Sequence, residues 1–594
     1  MNLAYDHVTQ VYNTRFGVVL SQGAFADLIV CLTQFSKNPK FQKKSLQAIE
    51  MLKSSVPKML RTPECPLSAR AGLAESLPQH PSQQTQEEQF WFPVLFAFHD
   101  VLMTGDDLEV RSRALNYLFE TLMKYGGEFP PDFWDTLWRQ LLYPIFMVLR
   151  SKAEMNKMTN HEELAVWLST TMIQALRNMV TLFTHFFDSL EYMLDRFLDL
   201  LILCICQEND TLARIGSNCL QQLILQNVSK FTPEHWRKIV GAFVELFQRT
   251  EATALFSAAT LSSFSTKSST NGIGTPRTNP SEAQSLSDLP LSTPTSEPEA
   301  DAGDNALGIN GLSFDQSSQA TVSTEPTEPS TPRARSASKD AVADLEDYAT
   351  STDTQQTPVP VTQARRKFFN QIITKCVLSL LMIETVNELF SNDLVYAQIP
   401  SSELLRLMTL LKKSYHFAKR FNGDRELRTR LYKEGFMKQP PNLLKQESGA
   451  AAVYVGILLR MFHDTGQERL ASRVQTEQAL VPLCADIVSS YIELDEETQQ
   501  RNIVTWRPVV VDVLEGYTGF PQEEFEKHVP TFAPLVVGLL GREIGSDLQR
   551  AIQGLLARIF EAKLGLTMGD MLLMTPVSER GSMFGSRRGS RVTR

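Results

Sequence analysis

The sequence predicts an all-α fold in which repeated helical hairpins stack into a solenoid, in two blocks with a long disordered insert between them. The segment FPPDFW at 129–134 returns as FTPEHW at 231–236, and both fit the pattern F-x-P-[DE]-x-W. Apolar residues recur at three- and four-residue steps on both sides of the insert, which is typical of helices packed on one face. Repeated hairpins that bury their apolar faces on one another form a solenoid, an architecture suited to binding.

The duplicated segment predicts the corner between two helices. A proline at the first helical position loses no hydrogen bond and has its φ preset. The acidic residue after it faces the positive end of the helix dipole. In both copies a Phe before the proline and a Trp after it can close the corner. We therefore expect Phe129 with Trp134, and Phe231 with Trp236, to have structural roles.

The helix before each corner also has a start signal. Asp107 and Asp210 are predicted to cap the two helices, since a side-chain oxygen there accepts from free amides. Arg111 and Arg214 follow four residues later and can reach back toward these acids. Small residues occur where helices cross closely. This pattern resembles the HEAT and armadillo class of repeats.

The elements fall into six segments along the chain. The C-terminal block opens with one apolar stripe on a predicted helix, made of Phe368, Ile372, Ile373, Cys376, Val377 and Leu380. The predicted segments are 1–62, N-terminal helical repeats; 63–89, a polar linker; 90–250, a HEAT-like helical block; 251–363, a disordered acidic Ser/Thr/Pro-rich insert; 364–565, a C-terminal HEAT-like helical block; and 566–594, a disordered Arg-rich tail.

The net charge of −9 comes almost entirely from the insert, because residues 251–360 hold 15 acidic and 5 basic residues. The rest of the chain is nearly neutral and lacks the basic footprint of a nucleic-acid-binding protein. A segment so poor in apolar residues cannot offset its ordering entropy. It is either a passive tether or a phosphoregulated insert. The candidate phosphosites are Thr275 and Thr331, each before a proline, and Ser336, which follows an Arg-x-Arg pattern.

The predicted tail is basic, with five Arg against one Glu between residues 575 and 594. It is either a solvated end or a contact with an anionic membrane surface, where each Arg adds about 1 kcal/mol. Ser590 follows two arginines and is a further candidate phosphosite, at which phosphorylation would weaken membrane contact. The candidate membrane-contact residues are Arg587, Arg588, Arg591 and Arg594.

No residue pattern predicts catalysis. The sequence has no Walker-type glycine loop, no G-x-S-x-G and no H-E-x-x-H. The seven cysteines are scattered without a C-x-x-C pair or zinc spacing, which fits a reducing compartment. We expect no catalytic residue, no metal and no cofactor. The most apolar run, 197–206, is too short for a membrane span and contains Asp199.

An ordered set of blocks resembles the large, brefeldin A-sensitive Golgi Arf guanine-nucleotide exchange factors of the Sec-seven/BIG type. No single block is decisive, but together they cover nearly all of the predicted folded part. The acidic insert and Arg-rich tail suggest a fungal member. The blocks are FWFPVLF at 90–96, RSRAL at 111–115, WDTLW at 134–138, QEND at 207–210, LARIGSNCL at 212–220, HFAKRFN at 416–422, RT at 428–429, GF at 435–436 and PNLLKQE at 441–447.

The resemblance is to the helical regions that lie downstream of the family's catalytic domain. It implies a regulatory and recruiting role in vesicle-mediated protein transport, on the cytoplasmic face of trans-Golgi membranes. The implied partners are small GTPases of the Arf and Rab families, the Golgi membrane surface as a peripheral contact, and a second copy of the chain, with no nucleic acid.

The resemblance also implies no exchange activity for this chain alone. The family's catalytic Phe-Arg-Leu-Pro-Gly-Glu stretch is absent, and GFPQEE at 519–524 is not a version of it. Met1 begins inside a helical unit, so we expect a C-terminal part of a longer protein. Three alternatives stay open: an exchange factor proper, if the product includes an upstream catalytic domain; a non-catalytic trafficking scaffold of the Mon-two type; and a karyopherin-like carrier. The block at 441–447 favours the exchange-factor class over the scaffold.

Overall fold

The computed structural model describes residues 2–71, 85–149, 171–257, 363–543 and 545–565. Every regular element in these ranges is helical, which confirms the all-α prediction. The described residues belong to one compact unit that takes in the chain on both sides of the predicted insert.

The helices before residue 258 are mostly of ordinary length and are joined by short 3-10 and π turns. Their bounds are α1 Asn2–Thr14, α2 Phe16–Ser21, α3 Phe25–Ser36, α4 Gln42–Arg61, α5 Phe92–Thr104, α6 Leu108–Tyr125, α7 Pro131–Leu137, α8 Ile173–His185, α9 Phe187–Leu190, α10 Leu194–Ile205, α11 Asp210–Asn227 and α12 Pro233–Thr250.

The helices after residue 362 begin with the longest one of the described ranges, which has 29 residues. Their bounds are α13 Gln363–Ser391, α14 Asp393–Gln398, α15 Ser401–Gly423, α16 Arg425–Lys433, α17 Leu444–His463, α18 Gln467–Ala471, α19 Arg473–Ile492, α20 Gln500–Thr518, α21 Gln522–Leu540 and α22 Ser546–Leu564.

The helices stack in two layers, as a solenoid requires. One layer runs α4, α6, α8, α11, α13, and the other contains the pairs α3 with α5, α10 with α12 and α12 with α15. Each of these helices therefore packs on the helix at the same position of the neighbouring unit. The apolar interior is one continuous cluster from Tyr12 to Leu555.

The stack continues directly from α11 and α12 onto α13. The hydroxyls of Ser217 on α11 and Thr385 on α13 share a buried hydrogen bond of 2.6 Å. Ser379 Oγ of α13 donates to the carbonyl oxygen of Thr250, the last residue of α12, at 2.9 Å. The two predicted blocks thus share one core.

The duplicated corner has the predicted structure in both copies. Trp134 and Trp236 are almost completely buried, and each lies against the Phe of its own motif, with ring centroids 5.6 Å and 5.4 Å apart. Each following helix has its proline at the first helical position. A Cβ at Gly126 would come within 2.7 Å of the Trp134 ring, so this position in the first corner requires glycine.

Of the two predicted N-cap residues, Asp107 is confirmed and Asp210 is not. Asp107 caps α6 by accepting from the amides of Glu109 and Val110. The prediction for Asp210 is wrong, because Asn209 caps α11 and accepts from the amide of Leu212. Asp210 instead forms a 3.0 Å ion pair with Arg214. An amide oxygen caps as well as a carboxylate, and Asn directly before Asp makes the two hard to separate by sequence.

Candidate binding cleft

The ranges that the structure describes contain no candidate metal site and no candidate membrane span. No three His, Cys, Asp or Glu side chains there are placed to hold a metal ion, and none of the helices found in these ranges is both long and apolar enough to cross a bilayer. The predicted phosphosites and tail residues lie outside the described residues: Thr275, Thr331, Ser336, Ser590, Arg587, Arg588, Arg591 and Arg594.

A concave site lies where α13, the end of α15 and the loop before α17 meet. It has an apolar part and a more polar part that share Asn442, and we call the two together the Asn442 cleft. The apolar part is a shallow cavity with a volume of about 80 Å³. It is lined by Leu255, Ile373, Cys376, Val377, Leu380, Phe421, Phe436, Met437, Pro441, Asn442, Leu443, Lys445, Gln446 and Arg501. The polar part is lined by Asn422, Gly423, Arg425, Arg428, Pro440, Asn442, Leu444, Gln499 and Asn502.

One wall of the cleft is an apolar face of α13. Ile373, Cys376, Val377 and Leu380 follow the helical spacing i, i+3, i+4, i+7 and are all only half-buried. Ile372 of the same predicted stripe is buried, so the stripe is divided between core and cleft. Burial nevertheless raises the pKa of the Cys376 thiol to about 12, as expected beside apolar neighbours.

The loop after α16 forms the opposite wall, and its first residues are held against α13. Gly435 has a φ of +75°, which lets the chain turn at the end of α16. Phe436 then packs edge-on against Phe369 of α13, with ring centroids 5.1 Å apart. Arg365 of α13 pairs with Glu434 at 2.9 Å. The loop is therefore fixed against α13 across the cleft.

Two side chains position the backbone between Pro441 and Leu443. Arg428 Nε donates to the carbonyl oxygen of Pro441 at 2.7 Å. Asn422 Oδ1 accepts from the amide of Leu443 at 2.7 Å, and its Nδ2 donates to Glu447 at 2.6 Å. The blocks 416–422, 428–429, 435–436 and 441–447, separate in the sequence, thus meet at this cleft.

Charged groups behind the cleft tie α15 to α19. Burial would raise the pKa of Asp486, but hydrogen bonds from Lys419 and Tyr415, each 2.7 Å long, outweigh it and hold that pKa below its usual value. For Glu447 burial dominates over the hydrogen bond from Asn422 and raises the pKa. These groups stabilise the helix packing rather than provide reactive chemistry.

The described lining of the Asn442 cleft has a positive bias. It contains Lys445, Arg501, Arg425 and Arg428 and no carboxylate. Sequence reasoning did not single out Arg501 or the polar lining from α20, because they come together only in the fold. The available signal was the set of resembling blocks between 416 and 447.

Comparison with known proteins agrees with the resemblance found in the sequence. A family model described as the BIG2 C-terminal domain matches residues 377–557, which include most of the cleft. The ADP-ribosylation factor guanine nucleotide-exchange factor SEC7 of Saccharomyces cerevisiae is 41% identical over 574 residues, covering 93% of this chain and 28% of the relative. The factor sec72 of Schizosaccharomyces pombe is 30% identical, covering 86% of this chain and 24% of its own length.

The similarity extends beyond fungi. Brefeldin A-inhibited guanine nucleotide-exchange protein 1 of Homo sapiens is 26% identical over 83% of this chain and 25% of its own length. The chain thus spans about a quarter of the length of the curated relatives it matches. A solved circular tandem repeat protein aligns at 13% identity over 95% of this chain and 97% of its own, with a TM-score of 0.20, too low to carry an argument. Over 93% of its length the chain is similar to a large Sec-seven/BIG-type Arf guanine-nucleotide exchange factor, and its C-terminal part matches the model of the BIG2 C-terminal domain.

Proposed function

We propose that this chain is the regulatory and recruiting region of an Arf guanine-nucleotide exchange factor that acts in vesicle-mediated transport at the trans-Golgi. The observation that carries the proposal is the 41% identity to the yeast exchange factor over 93% of the chain. The stacked helices present a surface of the kind that binds folded partners.

The proposed partners are membrane-bound, GTP-loaded small GTPases of the Arf and Rab families. The chain would sit on the cytoplasmic side of Golgi membranes as a peripheral protein, with the arginines of its tail adding about 1 kcal/mol each on an anionic surface. Self-association through the solenoid is part of the same proposal. Its support is the similarity to these exchange factors together with the solenoid architecture.

Recruitment is tested by liposome flotation. We expect the full chain to float with vesicles that carry GTP-loaded Arf or Rab and to stay in solution with vesicles that carry the GDP-loaded protein. A chain with Arg587, Arg588, Arg591 and Arg594 changed to Gln should float less on anionic vesicles at equal GTPase loading. Equal flotation with GTP- and GDP-loaded vesicles would contradict recruitment by the active GTPase.

The absence of exchange activity in this chain alone is tested with purified chain and Arf loaded with fluorescent GDP. We expect GDP release at the spontaneous rate, because no block of this chain resembles the family's catalytic stretch. The matched control is an exchange factor with its catalytic domain, which should accelerate release in the same assay. Accelerated release by this chain would overturn this part of the proposal.

A further inference from the structure

The hairpin of α21 and α22, at the C-terminal end of the described stack, has an apolar outer face. The sequence contains no charged residue from 529 to 541. The end of a solenoid that meets water normally has a polar outer face. Here Val537 and Leu540 of α21 are 66% and 51% exposed, and Phe560 and Leu564 of α22 are 37% and 63% exposed. We call these four residues, together with the exposed Pro530 and Pro534, the α21–α22 face.

The apolar residues of the two helices lie on either side of one seam. Glu526 at the start of α21 pairs with Lys563 at the end of α22 at 3.7 Å, so the helices are antiparallel neighbours. Pro530 follows Glu526 by one turn and Phe560 precedes Lys563 by one turn, so both border this seam. On its other side α21 packs against α19. The α21–α22 face is therefore the side of the hairpin that the described helices leave open.

The end of α22 directs the following chain toward this face. Gly565 has a φ of +65°, and its amide donates to the carbonyl oxygen of Glu561 at 3.0 Å. In a helix that ends on such a left-handed glycine, the residue after the glycine commonly makes an apolar contact one turn back. The two residues in those positions are Leu566 and Phe560, and both are apolar.

The nine residues after Gly565 have the composition to cover an apolar surface. They read LTMGDMLLM at 566–574, with six Leu or Met and a single charge, and they lie outside the described residues. The five arginines of the predicted tail all come later. Nine residues reach about 30 Å when extended, whereas the face from Pro530 to Leu540 is about 15 Å long. Methionine side chains adapt well to irregular apolar surfaces.

We propose that the segment 566–574 packs on the α21–α22 face, with Leu566 against Phe560 and its other Met and Leu side chains over Val537 and Leu540. The segment then supplies the cover that the end of the stack lacks, and the Arg-rich tail starts from a fixed place on the solenoid. A tail that contacts an anionic membrane would turn this end of the solenoid toward the bilayer. Only that last consequence rests on the proposed function, and the packing itself does not.

The test is oxidation of methionine by dilute hydrogen peroxide in the full chain, measured by mass spectrometry. Peroxide converts accessible methionine to the sulfoxide. Met147, 38% exposed, and Met461, 1% exposed, are internal standards for open and covered side chains. We expect Met571 to be oxidised more slowly than Met147. Val537→Asp places a charge on the face and should raise the oxidation rate of Met571 by about tenfold.

The matched control is Val30→Asp, which changes a valine of α3 that is 56% exposed and should leave the oxidation rate of Met571 unchanged. The reciprocal variant combines Leu572→Asp with Leu573→Asp in the segment. It should raise the oxidation rate of Met568, while unchanged rates for Met147 and Met461 would show that the solenoid is still folded.

Oxidation of Met571 as fast as that of Met147 in the unmodified chain would overturn the proposal, and so would a rate that Val537→Asp does not change. Protection of Met571 that disappears on dilution, together with a fall in molar mass by light scattering, would make the face a contact between copies instead. Flotation on GTPase-loaded vesicles tests the proposed function separately, so either proposal can fail alone.

Discussion

In the N-terminal half of the solenoid, two corners are closed by a Phe and a Trp, one between α6 and α7 and one between α11 and α12. In the C-terminal half, arginines from other units hold the ends of helices. Trp134 and Trp236 act inside their own corners, against rings five residues away. Arg469, by contrast, donates to the carbonyl oxygen of Tyr396, 73 residues earlier, at 2.5 Å and to that of Ile399, 70 residues earlier, at 2.9 Å.

The arginine contact recurs through the C-terminal half. Arg460 donates to the carbonyl oxygen of Phe390 at the end of α13, Arg542 to those of Ile492 and Leu494, and Arg558 to those of Thr518 and Phe520. Cations at helix C-termini satisfy free carbonyls and oppose the negative end of the dipole. Among the described residues of the N-terminal half, Arg111 donates to the carbonyl oxygen of Leu102 at 2.9 Å, and Lys58 donates to that of Tyr12 near the end of α1 at 2.5 Å.

The difference shows that two kinds of interaction stabilise the same solenoid architecture. An aromatic corner is stabilised by burial, which is local and insensitive to salt. An arginine contact is stabilised by charge-assisted hydrogen bonds and joins helices that are distant in the sequence. The first should therefore be costlier to remove, and the second should matter more for how one unit is aligned on the next.

The largest effect is expected for Trp236→Ala. The side chain is 1% exposed, so its removal leaves a large cavity and should lower the free energy of unfolding by about 3–5 kcal/mol. Trp236→Phe should cost clearly less, because it keeps most of the ring and removes an indole N–H that has no partner among the described residues. Urea denaturation followed by circular dichroism measures both. Val30→Ala, on an exposed side chain, is the control and should change stability by less than about 0.5 kcal/mol. If Trp236→Ala and Trp236→Phe lowered the free energy of unfolding equally, burial of the ring would not be what stabilises the corner.

Arg469→Met should have the next largest effect. Arg469 is 4% exposed, and its guanidinium donates to Ser401 Oγ as well as to two carbonyl oxygens. Methionine keeps much of the apolar stem but leaves buried acceptors without a donor, which should cost about 2–3 kcal/mol. Arg469→Lys should recover part of that loss. The same denaturation experiment tests it, and a cost no greater than for an exposed arginine such as Arg550→Met would refute the role of these bonds.

Arg542→Gln should cost less, about 1 kcal/mol, because the side chain is partly exposed and two carbonyl bonds are lost. Its 3.0 Å ion pair with Glu496 is a separate contribution. Glu496→Gln removes only the ion pair and should cost about 0.5 kcal/mol or less. Thermal unfolding in low and high salt separates the two, since only the ion-pair contribution should fall with added salt. If Glu496→Gln lowered stability as much as Arg542→Gln, the hydrogen bonds from Arg542 to the two carbonyl oxygens would contribute nothing to stability.

These two regions also differ in how much the sequence reveals. The aromatic corner was predictable because Phe, Pro and Trp lie within six residues and the whole segment occurs twice. The arginine contacts were not, because donor and acceptor are 38 to 73 residues apart and no local pattern joins them. The cleft lies between these cases: periodicity predicted the apolar stripe on α13, but only packing shows that Ile373 and Val377 are left half-covered while Ile372 is buried.

The smallest expected effect is a pH dependence within the C-terminal half. Desolvation would raise the pKa of Glu477 on α19, but hydrogen bonds from Lys527 and His528 of α21, 2.6 Å and 2.5 Å long, outweigh it and hold that pKa below 4.5. A folded-state pKa below the unfolded one means that the stabilisation is complete above about pH 4.5 and is lost as the pH falls through the folded value. Because Lys527 is 60% exposed, the contribution should stay below about 1 kcal/mol.

Unfolding measured between pH 6 and pH 3 should therefore show a shallower loss of stability in Glu477→Gln than in the unmodified chain. Glu526→Gln, which changes a more exposed acid on α21, is the matched control and should leave the slope nearly unchanged. Trp236→Ala should lower stability by the same amount at every pH in this range, since no titrating group is removed with the ring. If the loss of unfolding free energy caused by Trp236→Ala varied with pH as strongly as the contribution of Glu477, the aromatic corner and the charged contacts would be coupled. The two halves would then not be stabilised by independent kinds of interaction.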